Sequence, residues 1–226
     1  MWSLSCDCFD WSWIPIIATA GKKGYNRPRS TSKTERKVSC MAAERETYPI
    51  EIAGVRRNLR LFEVQPGIRI AVLNILGDTE LVQACAQALA KKLQDFDYAV
   101  LVTAEAKSIP LVHALAVETA KPYVVLRKVY KPYMGDTIQA ETVSITTGKP
   151  QSLYLDEKDQ KLLAGKQVVL LDDVISTGST LKGMHKVVEK AGAEVVAEAA
   201  ILTEGEKESW SDIVALGHIP VFMENR

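Results

Sequence analysis

The 226-residue sequence has little cysteine, no long apolar run and no net charge. Three of its four cysteines (Cys6, Cys8, Cys40) fall in the first forty residues, leaving Cys85 alone beyond them. No disulfide framework is expected from that pattern, and a reducing, cytoplasmic setting follows from it. Cys6 and Cys8 do not read as a metal site, since His113, His185 and His218 are all far away in sequence. No stretch approaches eighteen uninterrupted apolar residues, which argues against a spanning helix and a membrane partner. Basic and acidic residues total 28 each, so the charge gives no reason to expect specific nucleic-acid binding. Neither GxxxxGK[ST] nor GxGxxG occurs, which removes the P-loop and the dinucleotide fingerprint. What is there, 47% hydrophobic and 25% charged residues, is the balance of an ordinary globular domain.

That average hides a division. The first forty residues hold Trp2, Trp11 and Trp13, then a basic stretch of Lys22, Lys23, Arg27, Arg29, Lys33, Arg36 and Lys37 against Glu35 alone. A secretory signal would place its positive charge before the apolar run, whereas Asp7 and Asp10 come first here. A transit peptide would suit the serines but not the acidic, tryptophan-rich start. The reading favours a disordered extension over residues 1–46, upstream sequence ahead of a working start at Met41.

From residue 47 the pattern becomes regular. Short apolar stretches at 50–52, 59–62 and 68–73 predict small strands. Asp78 then caps a helix whose Leu81, Cys85, Ala88, Leu89 and Leu93 share one face. The runs Tyr98–Thr103, Tyr123–Leu126, Val168–Leu171 and Val195–Leu202 read as buried strands, with Ile219–Phe222 as the last. Helices are expected after Ser108-Ile109-Pro110 and over Ser179–Ala191, closed by Gly192. Residues 127–155 predict a projecting hairpin or flexible arm. Buried strands alternating with helices imply an α/β fold with a parallel sheet covered on both faces. Ligands bind beyond the carboxyl ends of such strands, so the loops at 103–109, 127–136 and 172–180 should converge.

The stretch Val168–Thr180, VVLLDDVISTGST, carries the chemistry. Asp172 and Asp173 are adjacent carboxylates that repel each other unless a cation or hydroxyl donors lie close. Ser176, Thr177, Gly178, Ser179 and Thr180 supply hydroxyls and backbone N–H groups at a helix start, which makes an anion cradle. Gly178 lets the backbone approach the anion. A sugar phosphate satisfies both halves, its hydroxyls on the carboxylates and its phosphate in the turn.

This string resembles the phosphoribosyl pyrophosphate (PRPP) signature of type I phosphoribosyltransferases, and the resemblance covers roughly residues 98–204. It implies a twisted parallel sheet with helices on both faces, a small hood subdomain and a flexible loop. The domain would span 47–226, with the hood at about 47–76 plus the C-terminal segment and the core at about 77–204. By the same resemblance Asp172 and Asp173 hold the ribose hydroxyls, and Ser176–Thr180 the 5′-phosphate. Lys107, Arg127 and Lys128 would meet pyrophosphate. Glu141 is the nearest match to a flexible-loop glutamate implicated beside the base. Mg²⁺ would arrive with PRPP, touching Asp172 or Asp173 through water. A homodimer and a purine base complete the expected partners.

Adenine leads among the bases. The tail Leu216–Phe222 is similar to adenine-type enzymes, although Glu105-Ala106-Lys107-Ser108-Ile109 departs from their Glu-Ser-Arg-Gly-Phe loop. Hypoxanthine-guanine enzymes usually carry an aspartate where Ser176 stands. Xanthine enzymes and PRPP-sensing purine repressors remain alternatives, because Ala106–Leu111 resembles repressor loops closely. Residues 1–46, however, do not resemble the repressors' winged-helix domain. Arg56, Arg57 and Phe62 are candidate base contacts from the hood.

Overall fold

A computed structural model describes residues 45–143 and 150–223. The chain divides after Ala42 into two units, and the whole of the first lies outside the described residues. The expected disorder of the extension therefore falls outside them, except at its end. Arg45 and Glu46 belong with the domain: Glu46 pairs with Arg69 at 2.6 Å, and the Arg45 guanidinium lies 4.8 Å from the centre of the Phe62 ring.

In chain order the elements are β1 (Thr47–Ile52), β2 (Val55–Gln65), β3 (Ile68–Val72), α1 (Thr79–Leu93) and β4 (Val100–Ala104). They continue with α2 (Ile109–Thr119), β5 (Tyr123–Leu126), β6 (Ile138–Val143) and β7 (Pro150–Leu155). The last are α3 (Glu157–Leu163), β8 (Gln167–Ile175), α4 (Ser179–Lys190), β9 (Glu194–Glu204), β10 (Val214–Ile219) and β11 (Phe222–Met223). None of the described helices is long and apolar enough to cross a membrane.

The central sheet has the order β10-β9-β8-β4-β5, and every pair in it is parallel. Its strands read as apolar runs because both faces are covered. Alternation along β8 sends Val169 and Leu171 to one face, against Leu81, Cys85 and Leu89 of α1 and Leu111 and Leu115 of α2. Val168 and Leu170 go to the other, against Met184, Val187 and Val188 of α4. Burial at the first face pushes the Cys85 thiol up to about 12.

A second sheet, β1-β2-β3-β11, is antiparallel. The β1–β2 connection needs two residues with positive φ, and Ala53 and Gly54 supply them at 51° and 81°. Ile52, Leu59 and Leu61 from this sheet, and Leu73 just after β3, share the core formed by α1 and α2. The chain's end differs from the sequence expectation: Pro220 interrupts the apolar tail, so β10 stops at Ile219 in the large sheet and β11 joins the small one. The expected hairpin is β6–β7, paired antiparallel from Ile138↔Leu155 to Val143↔Pro150. Helix α3 carries too short an apolar pattern to be read from sequence.

Asp78 caps α1 by accepting from Leu81 N at 3.2 Å, and Arg57 clamps the same carboxylate at 2.7 and 2.8 Å. The Arg57 hydrogen bonds, then the Leu81 N–H, hold the Asp78 carboxyl below its ordinary value. Removing the cap with Asp78→Ala is expected to destabilise the fold by about 1–2 kcal/mol at neutral pH. Because the folded carboxyl is the stronger acid, this contribution is present above the unfolded value of about 3.9 and fades as pH falls through the lower folded value. The gap between wild type and variant in thermal unfolding should accordingly close in acid.

Candidate active site

Strand β8 outruns one of its neighbours. Its pairing with β4 stops at Thr103↔Leu171, while its pairing with β9 continues to Ile175↔Thr203. The acids expected in a loop after Leu171 are therefore still within the strand, but at an edge that β4 has left open. The sequence could not show this, because it depends on how far β9 extends. The turn between β4 and α2 fills the opened edge, and its Glu105–Ala106 peptide is cis.

Two side chains of that turn meet the acids. Ser108 Oγ lies 2.7 Å from Asp172 Oδ1 and 3.3 Å from Asp173 Oδ1, and accepts from Asp173 N at 3.1 Å. Asp173 N also reaches Asp172 Oδ1, at 2.8 Å. Ser108, the expected start of α2, stands at the cap position, but its hydroxyl serves the carboxylates instead. Lys107 Nζ is 2.6 Å from Asp173 Oδ2 and 3.3 Å from the Leu73 carbonyl. Alternation along the strand separates the pair: Asp172 faces an open cavity, and Asp173 is buried among Lys107 and Ser108.

That cavity, of about 210 Å³, is lined by Asp172 together with Ser176, Thr177, Gly178, Ser179 and Thr180. Gly178 stands at the cap position of α4 with φ of +69°, a left-handed conformation that costs glycine little. Thr177 Oγ1 reaches Ser179 Oγ at 3.1 Å, which draws the hydroxyls to one side of the turn. The hydroxyls and the start of α4 make this end attractive to an anion. Burial first, and the neighbouring Asp173 carboxylate second, push the Asp172 carboxyl up to about 7. A hydroxyl or cation brought to that carboxylate would favour its ionised form.

Along the same edge Glu105 reaches from the end of β4 to the end of β5. Its carboxylate accepts from Arg127 Nε at 2.5 Å and from Lys128 N at 2.7 Å. That pairing raises the Arg127 guanidinium further above its ordinary value. The three loops expected to converge do so. Lys107 and Ser108 touch the acids, and Glu105 of the same turn fixes Arg127 at the end of β5. Lys128 contributes its backbone N–H, while its side chain is exposed.

Glu141 is not brought into this group. It is exposed on β6, and its carbonyl accepts from Lys186 Nζ of α4 at 3.1 Å. The same hairpin instead gives Gln151 to the cavity lining. Arg56 is exposed and pairs with Glu51, and Arg57 is committed to Asp78 and Glu80. Phe62 and Leu73 line a separate cavity of about 460 Å³ on the small sheet. Sequence reasoning missed Ser108 as a bridge, Gln151, and Trp210, whose ring edge abuts Gly178. Ser108 gave no signal of its own, since serine before proline reads as a helix start.

An acid-bearing strand that runs into a hydroxyl-rich turn at a helix start, on the carboxyl edge of a parallel sheet, defines an α/β protein with its candidate ligand site at that edge. The chain belongs to the type I phosphoribosyltransferases: the phosphoribosyl transferase domain model matches residues 72–217. It is 37% identical over 109 residues to the hypoxanthine/guanine phosphoribosyltransferase of Methanococcus voltae, a match covering 48% of this chain and 54% of that one. It is 32% identical over 130 residues to the adenine phosphoribosyltransferase of Thermosipho africanus, covering 57% of this chain and 72% of the relative. Among solved structures, the adenine phosphoribosyltransferase of Thermoanaerobacter pseudethanolicus superposes with a TM-score of 0.60 at 24% identity. That superposition covers 71% of this chain and 95% of the other, and it establishes the fold.

Proposed function

We propose that this chain is a purine phosphoribosyltransferase that displaces pyrophosphate from PRPP with a purine nitrogen, giving a nucleoside monophosphate in purine salvage. The observation that carries the reading is the shared cavity: Asp172 and the Ser176–Thr180 turn line one space of about 210 Å³. In this reading the 5′-phosphate lies in the turn, and the ribose hydroxyls lie on Asp172 and on Asp173 at the deeper end. Pyrophosphate leaves toward Lys107, Arg127 and Lys128.

As the bond to pyrophosphate breaks, positive charge grows on the ribose and negative charge on the leaving group. Fixed groups already aimed at those charges lower the barrier without reorganising during the step. Asp172 lines the space the cationic sugar would occupy, with Asp173 at its deeper end. Lys107 is held by Asp173 and the Leu73 carbonyl, and Arg127 by Glu105, so both cations are placed in advance. The two carboxylates are hard oxygen donors of the kind Mg²⁺ takes, which suits an ion held mostly by phosphate oxygens and water. Mg²⁺ bound with PRPP would supply charge neutralisation of the pyrophosphate, with Asp172 or Asp173 reaching it through water. The reading includes a homodimer, for which exposed Val129, Tyr130 and Tyr133 beside Arg127 offer apolar surface. It leaves Glu141 as a residue that acts only if the hairpin moves.

Adenine is the base this reading favours, on the tail Leu216–Phe222 and on serine at position 176. Hypoxanthine and guanine form the second reading, supported by the name of the Methanococcus voltae relative. Purified protein given PRPP, Mg²⁺ and adenine, hypoxanthine, guanine or xanthine in turn should release pyrophosphate fastest with adenine. Faster release with hypoxanthine or guanine would overturn the base assignment alone. PRPP binding without release for any base would favour a sensor.

A further inference from the structure

We propose that Trp210 is a positioning residue for the phosphate turn, setting the affinity for the 5′-phosphate end of the substrate. The inference rests on the reading of Ser176–Thr180 as that phosphate's cradle.

Glycine at φ +69° is free to leave that conformation, because nothing in its own side chain enforces it. The indole supplies the restraint from outside. A Cβ on Gly178 would lie 3.2 Å from Trp210 Cη2 and 3.5 Å from Cζ3, so the edge of the six-membered ring closes off the space into which the turn could relax. The ring is itself tethered, for Nε1 donates to the Glu204 carbonyl at 2.9 Å. Glu204 ends β9, and the residue before it, Thr203, is the register partner of Ile175, the last residue of β8 before the turn. Trp210 thus braces the turn against the end of β9, the neighbour of the strand from which the turn departs.

The indole is partly buried against the core cluster of α4 and the sheet, and it borders a cleft of about 350 Å³ that His185, Glu198 and Asp212 also line. Packing and the Nε1–H bond together hold the ring. No described contact links Trp210 directly to Lys107 or Arg127; the nearest connection is Glu204, whose carbonyl accepts from the indole and whose carboxyl feels the Lys107 charge, so the effect should fall mainly on one end of the substrate.

The test titrates ribose 5-phosphate and magnesium pyrophosphate separately into full-length wild type, Trp210→Ala and Trp210→Phe. Trp210→Ala should weaken ribose 5-phosphate about tenfold, the scale of one neutral hydrogen bond with its packing. Pyrophosphate affinity should stay within about twofold, well under the tenfold that 1.4 kcal/mol represents. In turnover, KM for PRPP should rise more than kcat falls. Trp210→Phe keeps part of the ring wall and should recover part of the loss. Equal weakening of both ligands would mean that Trp210 serves only the fold, and unchanged ribose 5-phosphate affinity would remove its role in the turn. Either result overturns the inference. Wild type that binds neither ligand would sink the phosphate reading beneath it, and this inference with it.

Discussion

Replacing Asp172 and Asp173 together by asparagine should reduce turnover by about a thousandfold or more while the protein still unfolds near the wild-type temperature. Hydrogen bonds to a charged partner contribute about 1.5–3 kcal/mol each, and two such contacts to the ribose account for that loss. The stability side follows from two opposed effects. Burial and the neighbouring Asp173 carboxylate raise the Asp172 carboxyl, so in the folded state it is the weaker acid. Between the unfolded value of about 3.9 and the raised folded value the native state binds the extra proton, and stability falls as pH rises through that window. Asp172→Asn removes this penalty, and its amide oxygen can still accept from Ser108 Oγ and Asp173 N. That single variant should unfold at a higher temperature than wild type at pH 8 and at a similar one near pH 4. Asp173→Asn acts in the other direction, because Lys107 loses the carboxylate 2.6 Å away. Thermal scans of both singles and the double, beside pyrophosphate release, check this. Loss of cooperative unfolding in the double variant would mean that the acids hold the fold together.

How far the site was legible follows from which residues declare their environment in sequence. VVLLDDVISTGST announced strand, acids, turn and helix in one string, since apolar run, charge and hydroxyls each have a local meaning. The parallel sheet was readable for the same reason, as its strands are short runs buried on both faces. The depth of Asp173 was not readable. It depends on β9 continuing beside β8 after β4 has stopped, a matter of register with segments distant from it in sequence. Ser108 and Glu105 were hidden differently: their partners lie across the sheet edge, and nothing near them in sequence marks a bridge. Glu141 shows the converse case. A residue carried over by resemblance sits on a hairpin whose placement against α4 is set by Lys186 and Lys190, which bond the carbonyls of Glu141 and Gln139.

Gly178→Val should abolish useful affinity for PRPP, by about a hundredfold or more, at a modest cost in stability. Two physical terms add at this position. A left-handed backbone costs a residue bearing Cβ about 1–2 kcal/mol, and a β-branched one is a genuine outlier there. The Cβ also meets the Trp210 ring at 3.2 Å, and the added methyls enlarge that contact. The turn can escape both only by moving Gly178 to negative φ, which redirects the backbone N–H groups at the start of α4 away from the cavity. A local change of this kind leaves the sheet and both cores in place, so thermal unfolding should shift by only a few degrees, about what 1 kcal/mol produces. Gly178→Ala separates the terms, because removing the ring opposite the new methyl relieves the collision and leaves the φ penalty. Trp210→Ala should therefore cost less affinity for ribose 5-phosphate in the Gly178→Ala background than beside the native glycine, with a coupling of about 0.5–3 kcal/mol. Additive losses would place the whole cost of Gly178→Ala in the backbone and leave the collision with the indole no part in it. A Gly178→Val protein with unchanged PRPP affinity would show that the turn does not need the left-handed residue, and the phosphate would have to bind elsewhere.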